Sequence, residues 1–441
     1  MRGERTFHDW REVALVLAPL VAAPLVCSFA GSFAGYTHHI WNQSIEVFCG
    51  LEALALVWIA YARLKSGRDA AGVVVRFGLF MAILLFISET RTPAWDYQRY
   101  LEAARAVCRG ENPYANNPYY LYTPFLAQLL CYSSSLLNKL GIAELSAWHL
   151  TTYAYRASQF YLVIYIHRVL REMLNLWGWD ELKGEIAVAA LFLLSAPLFR
   201  TIIMMQTNLA VLALVLFAIR LVMGERDVAA GAVLAVGAIL KLYPLILVIP
   251  FVVLKRYRVI GWWIAFGLLF GGLLFACAPY AWRGYLNNPV PASELFPFFR
   301  NSGIASIIAT HLKAFGAEPN YKLLSVVALI LELIFAVPIF GGLARRKFAE
   351  ADARAVWGLY AVTLAVGIVL SPLIWEHHFV LAYPLAVWTL GELGINARTL
   401  LPLALIFPVP VFDLAFFSLH RLAGLVWIIV LAYRRLTSRK A

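Results

Sequence analysis

Apolar stretches about as long as a bilayer is thick recur from one end of the chain to the other. A hydrocarbon core about 30 Å thick takes roughly 20 residues of helix to cross. Runs of that kind lie near 13–35, 45–62, 72–89, 121–138, 148–167, 185–205, 207–223, 228–254, 259–279, 323–343, 355–372, 375–391, 399–416 and 420–433. The pattern predicts an all-α polytopic membrane protein with about 12 to 14 transmembrane helices. The range has two sources: 121–138 is short and flecked with polar residues, and 228–254 is interrupted by Lys241 and Pro244, which can break it into a hairpin.

Between the runs, Lys and Arg gather at the N-terminus, Arg63 to Arg68, Lys255 to Arg258, Arg345 to Lys347 and Arg434 to Lys440. Cytoplasmic loops hold such an excess, which puts 91–120, 280–322 and 371–378 on the extracytoplasmic side. The interval 168–183 is charged like an inner loop too, and fits only if 121–138 does not fully cross.

One outer interval has its own periodicity. From Trp95 to Gly110, the residues Tyr100, Ala103, Ala104 and Val107 repeat at helical spacing, with Arg99, Glu102 and Arg105 on the other side. This predicts an amphipathic helix lying on the membrane, with Asp96 at its start, Gly110 as its stop and Asn112-Pro113 as the turn after it.

Composition sharpens the picture. Of 441 residues 62% are hydrophobic and 14% charged, where soluble domains have roughly a quarter charged. No soluble domain of any size remains, so 1–441 reads as a single transmembrane domain, with 91–120 as a first and 280–322 as a second extracytoplasmic loop. The net charge of +12 is dispersed in short clusters, a topology signal and not a nucleic-acid face. Of the five cysteines, Cys27, Cys49, Cys131 and Cys277 lie in or beside apolar runs, and no CxxC or Cys/His ligand spacing occurs, which argues against a disulfide scaffold and against structural zinc. The first run follows Arg2, Arg5 and Arg11 as a signal peptide would, but Ala30 to Ala34 is a poor cleavage site, so it reads as an uncleaved anchor.

The polar residues in costly places are the candidates for chemistry. Asp96 can take a proton from a sugar hydroxyl as that oxygen attacks an anomeric carbon, or can simply cap a helix. SPLIWEHHF places Trp375, Glu376, His377 and His378 at the outer end of a late span, either as a site or as interfacial residues hydrating a helix end. Lys241, inside AVGAILKLYPLILVIPF, costs roughly 2.5–3.5 kcal/mol at a helix centre. A lipid phosphate would repay that, and snorkelling to the interface is the other account. Gln206 and Asn208, in MMQTNLAV, can bind sugar hydroxyls or bond neighbouring helices. Asn301 and Ser302 follow the aromatic FPFFR, and Gly303 excludes a glycosylation sequon. No third ligand stands at helical spacing from the histidine pair, so neither a metal nor another cofactor is expected.

These segments, in order, resemble glycosyltransferase family 87, polyprenyl-phosphate-sugar-dependent enzymes of the GT-C class. WDYQRYLEAARAVCRGENPYANNPYYLYTPF resembles that family's Asp, tyrosine-bearing helix, G-x-x-P-Y turn and Y-x-P helix start, the last formed here by Tyr122-Thr123-Pro124. QTN, KLYP, NSG and SPLIWEHH resemble its later patches, so the likeness spans residues 95 to 378. Two departures stand out: three spans precede the Asp loop where GT-C enzymes usually have one, and NSG lacks the more usual Asn-Gln-Ser form.

The resemblance implies a many-helix fold with its active site at the extracytoplasmic surface of the cytoplasmic membrane. It implies Asp96 as the catalytic residue, assisted by His377 or His378, with Lys241 near the carrier phosphate. Gln206, Asn208, Asn301, Tyr122 and Trp375 would complete the substrate-binding set. The implied reaction moves a sugar, mannose being the family's commonest, from a polyprenyl-phosphate donor to a glycolipid or polysaccharide acceptor, by one inverting displacement giving an α-linkage. A transporter or lipid flippase for envelope glycolipids is the rival reading, since intramembrane Lys241 and helix-breaking prolines suit a substrate path too, but no internal repeat is present. A structural subunit of an envelope-polysaccharide complex is a third. Convergence of Asp96, Lys241 and His378 on one cavity would favour the enzyme.

Overall fold

Among the residues described by the computed structural model, which are 95–115, 117, 120–288, 301–346, 348, 352–408 and 419–438 with residue 18 besides, all regular elements are helical apart from an isolated bridge between Asn301 and Trp375. The expected spans 13–35, 45–62 and 72–89, with Cys27, Cys49, the anchor and the aromatic residues 296–300, lie outside the described residues. Helix α1 (Trp95–Cys108) leads to α2 (Pro124–Lys139), α3 (Glu144–Asn175), α4 (Glu181–Leu193), α5 (Ala196–Ile203), α6 (Asn208–Met223) and α7 (Asp227–Leu240). A 3-10 turn at Tyr243–Leu247 runs into α8 (Val248–Val253), followed by α9 (Tyr257–Cys277) and α10 (Pro279–Leu286). Then come α11 (Ile304–Ala314), α12 (Tyr321–Ala344), α13 (Ala353–Val369), a 3-10 segment at Glu376–Ala382, α14 (Tyr383–Leu393), α15 (Ala397–Ile406) and α16 (Leu419–Ser438).

Two of these helices, α9 and α12, are long and apolar enough to cross a membrane. At a rise of about 1.5 Å per residue they reach about 31 and 36 Å. The pair α4 and α5 makes a third if its two parts, bent by 62°, form one span. Only 11% of the most apolar stretch of α9 is buried, as suits a helix in hydrocarbon, and the helical fold is consistent with membrane association.

The places where apolar runs break are the places where the site forms. The run 185–205 divides at Ser195, whose hydroxyl accepts the Leu198 N–H to cap α5, with Pro197 in that first turn. The run 228–254 ends its first helix at Leu240. Lys241 is extended, with φ −159° and ψ 138°, and the chain resumes as a 3-10 turn carrying Pro244, so the break is one extended residue and a tight turn, not a hairpin. Pro244 has no N–H to offer the preceding turn, and the Thr123 hydroxyl bonds the carbonyl of Ile239 there. Between α5 and α6, Met205 takes a left-handed φ of 52° although it is not glycine. Such residues cost about 1–3 kcal/mol and persist where surrounding contacts hold them. Here the Tyr155 hydroxyl donates to the Met205 carbonyl at 2.9 Å.

Helix α1 buries the face expected from its periodicity: Tyr100, Ala103, Ala104 and Val107 are buried, together with Tyr97, while Glu102 and Arg105 are exposed. What covers that face is protein. The helix packs on α2 and into a tyrosine cluster, with Tyr97 stacked on Tyr155 of α3 and Tyr100 edge-on to Tyr122. A disulfide joins Cys108 at the end of α1 to Cys131 in α2, a bridge that the cysteine spacing does not announce, though one bond is not a disulfide scaffold. The two cysteines are 23 residues apart and meet only because the two helices pack together.

Candidate active site

Four chain breaks line one cavity of about 920 Å³: the start of α1, the α5–α6 turn, the α7 break and the segment leading into the second 3-10 element. Its polar side has Asp96, Tyr122, Gln206, Lys241, Tyr243, Trp375, Glu376, His377 and His378. Its apolar lining has Met204, Leu240, Leu242, Ile246, Leu370 and Leu373, with Gly367. Leu242 is 54% exposed, so this apolar lining opens on the outer surface of the helices.

Asp96 lies in the first turn of α1, and its Oδ2 accepts a hydrogen bond from Gln206 Nε2 at 2.6 Å. The oxygen of the same amide accepts from the Tyr100 hydroxyl at 3.1 Å and from the Tyr122 hydroxyl at 2.5 Å. Gln206 therefore orients the carboxylate. Burial pushes the Asp96 carboxyl above the usual carboxylate range, opposed by the Gln206 hydrogen bond and by the positive charges of Arg200 and Lys241.

Across the cavity, Lys241 Nζ donates to Asn208 Oδ1 at 2.7 Å and lies 3.2 Å from His378 Nε2, between the rings of Tyr122 and Tyr243. The other nitrogen of His378, Nδ1, is 2.9 Å from the Tyr243 hydroxyl, which in turn is 3.0 Å from Ser371 Oγ. His377 packs edge-on against His378. Two side chains near the α5–α6 turn pin its backbone: Asn208 Nδ2 and the Thr201 hydroxyl both donate to the His377 carbonyl, at 2.9 and 3.2 Å. The break in α7 is what frees Lys241 to reach this group, since an extended residue projects its side chain off the helix axis.

Seven of the nine expected site residues therefore meet at one cavity: Asp96, Tyr122, Gln206, Lys241, Trp375, His377 and His378. Asn208 and Asn301 do not line it. Asn208 is fully buried and spends its amide on Lys241 and the His377 carbonyl. Asn301, 1% exposed, accepts the N–H groups of Gly303 and Ile374 and forms the bridge to Trp375, so it shapes the wall from behind.

Two features went unread in the sequence. Arg200 lines the cavity and acts on Asp96 through its charge, and as a cation inside an apolar run it has the same signal as Lys241. Glu376 on the cavity wall pairs with Arg421 of α16 at 2.5 Å, both side chains nearly or fully buried. No spacing links residues so far apart.

A cavity lined by a half-buried carboxylate, a lysine and an imidazole together with apolar side chains can bind an anion with an attached hydrocarbon and take a proton from a hydroxyl beside it. No curated protein and no solved structure matches the chain. The family model of glycosyltransferase family 87 matches residues 120–375, more than half of the chain, which takes in Tyr122, Gln206, Lys241 and Trp375 and stops short of Asp96 and the two histidines. The chain belongs to glycosyltransferase family 87, and sugar transfer is its general activity.

Proposed function

We propose that the protein transfers a sugar, mannose in the first instance, from a polyprenyl-phosphate donor to a glycolipid or polysaccharide acceptor at the extracytoplasmic face of the cytoplasmic membrane. The observation that carries the proposal is the shared cavity: Asp96, from a loop helix, and the Lys241–His378 pair, from two breaks far along the chain, line the same space. Scatter over separate surfaces would have suited a transporter or a structural subunit better.

In this reading Asp96, steadied by Gln206 at Oδ2, accepts the proton of an acceptor hydroxyl at Oδ1. The freed oxygen attacks the anomeric carbon, the bond from that carbon to the carrier's phosphate oxygen breaks, and the phosphate departs with the bonding pair. Lys241 neutralises the departing charge, with His378 beside it. One displacement inverts the anomeric centre, so a β-linked donor gives an α-glycoside. A volume of 920 Å³ is near the top of the roughly 300–1,000 Å³ usual for small-ligand sites, enough for a phosphosugar and the first isoprene units. The remaining hydrocarbon would leave past Leu242 into the bilayer.

The chain is read as a single GT-C-type domain over 1–441 crossing the membrane about 12 to 14 times, with 91–120 as the catalytic loop and 280–322 as the second outer loop. Shorter apolar helices such as α6, α7 and α13 support the additional crossings. The Cys108–Cys131 disulfide supports the outward orientation, because disulfides persist in oxidising compartments.

The test is transfer from labelled polyprenyl-phosphate-mannose to a panel of lipid acceptors by wild type and Asp96→Asn. General-base loss predicts a fall of about 10²–10⁴-fold in the variant with donor binding retained. Equal rates in the two proteins would remove Asp96 from the chemistry. Absence of transfer from any polyprenyl-phosphate sugar, with the protein folded, would overturn the donor class.

A further inference from the structure

A second cavity, of about 360 Å³, lies among the end of α14, the first turn of α15 and the last turns of α16. Arg398, Arg434 and Arg435 line it, with Asn396 and Ser438 as further polar groups and Leu393 and Leu431 as its apolar side. Helix α16 fixes how far it is from the active-site cavity. At one end of that helix Arg421 pairs with Glu376 of the active-site wall, and fourteen residues on Arg435 pairs with Glu392 at 2.7 Å. At about 1.5 Å per residue the separation is about 21 Å, most of the thickness of a hydrocarbon core. The three arginines therefore stand well away from the active-site cavity, and Arg434 and Arg435 belong to the basic run 434–440 that the charge pattern assigns to the cytoplasmic side.

The charge of this cavity is not balanced from within. Glu392, with a side chain 2% exposed, takes Arg435 and the indole N–H of Trp177. Among the described residues no carboxylate pairs with Arg398 or Arg434, both exposed. Arginine forks fit phosphate oxygens two at a time. The first turn of α15, where Asn396 already caps the Arg398 N–H, adds its dipole to the same space. Beside the arginines the surface turns apolar: Ile395, Leu400 and Leu401 are 63%, 46% and 50% exposed, a surface suited to acyl chains. A cavity near the lower end of ligand-site volumes holds a phosphate with a small headgroup and leaves the chains outside.

We propose that this pocket binds the phosphate of an anionic membrane lipid at the face opposite the active site. Basic pockets between helices on the cytoplasmic side bind lipid phosphates in this way, and the pocket is independent of the transfer chemistry.

The experiment is native mass spectrometry of the full chain, delipidated in detergent and exposed to equimolar phosphatidylglycerol and phosphatidylcholine. Wild type is expected to retain phosphatidylglycerol several-fold over phosphatidylcholine. Arg398→Gln with Arg434→Gln should bring that preference near unity, while Arg398→Lys with Arg434→Lys keeps part of it and controls for folding. Equal preference in wild type and the glutamine variant overturns the proposal. A parallel arm adds inorganic phosphate alone. A thermal midpoint raised by phosphate in wild type only, without lipid preference, would keep an anion site there and reject the lipid as its occupant.

Discussion

Replacing Gln206 with Met keeps an unbranched side chain of similar length and removes a hydrogen bond that steadies the Asp96 carboxylate. That bond favours the ionised carboxylate, and burial opposes it. Its loss therefore raises the Asp96 pKa further. Asp96 acts as a base only when ionised, so the acid limb of kcat/KM against pH should move alkaline. A hydrogen bond to a charged group contributes about 1.5–3 kcal/mol, so at a pH well below the limb kcat/KM should fall about 10–100-fold. Well above the limb, activity should partly recover. The assay is sugar transfer from polyprenyl-phosphate-mannose across the pH range in wild type and Gln206→Met. Tyr122→Phe is the control, because it removes a donor to the same amide without touching the bond to Asp96. A limb that stays in place while the rate falls equally at every pH would refute the reasoning, and would make Gln206 a substrate contact.

Three further outcomes follow from the same geometry. Asn208→Leu removes the acceptor that holds Lys241 Nζ at 2.7 Å; at about 1.5–3 kcal/mol for such a bond, kcat/KM for the donor should fall about 10–100-fold, and an unchanged value would show that Lys241 keeps its place without it. Gly367→Leu adds bulk on the apolar side, where even a Cβ would meet Ile246 Cγ2 at 3.2 Å. The KM for long-chain polyprenyl donors should rise more than that for a short-chain analogue, and an equal effect on both would remove the lipid from that side. Cys108→Ser with Cys131→Ser opens a loop with a separation of 23 residues. Loop-closure entropy puts its contribution at about 3 kcal/mol, so the thermal midpoint should fall and reductant should lower the wild-type midpoint alike, whereas no change would show that α1 docks on α2 without the bond.

The helices were legible because the energetic signal is large and local. A run of apolar residues can be read without knowing its neighbours, and the runs 207–223, 259–279, 323–343 and 355–372 each fold as one helix. Lys241, Gln206 and the histidine pair were legible for the opposite reason: each is expensive where it stands, so its presence needs a cause. Arg200 has the same signal. Periodicity told which face of α1 is covered and not what covers it, because Tyr100 and Ala103 bury equally well against lipid or against protein. The disulfide and the Glu376–Arg421 pair were illegible, since both depend on packing between distant segments.

Amides and charges differ in how far their role can be read from their position. A lysine in an apolar run brings a charge that protein amides alone do not neutralise, so Lys241 points beyond itself to an anion. An amide in the same setting can find its partners within the protein: Gln206 in Asp96 and two tyrosines, Asn208 in Lys241 and a carbonyl, Asn301 in two backbone N–H groups. Each of these amides bonds a segment that bears a lining residue. Their buried bonds fix the angles at which Asp96, Lys241 and Trp375 meet the cavity, and positioning of that kind accounts for several kcal/mol of catalysis in enzymes generally. Under the proposed function these amides are the frame that holds the base and the cation in register, and the groups that remain to meet a sugar on the wall are Asp96, Tyr122, Lys241, Trp375 and the histidines.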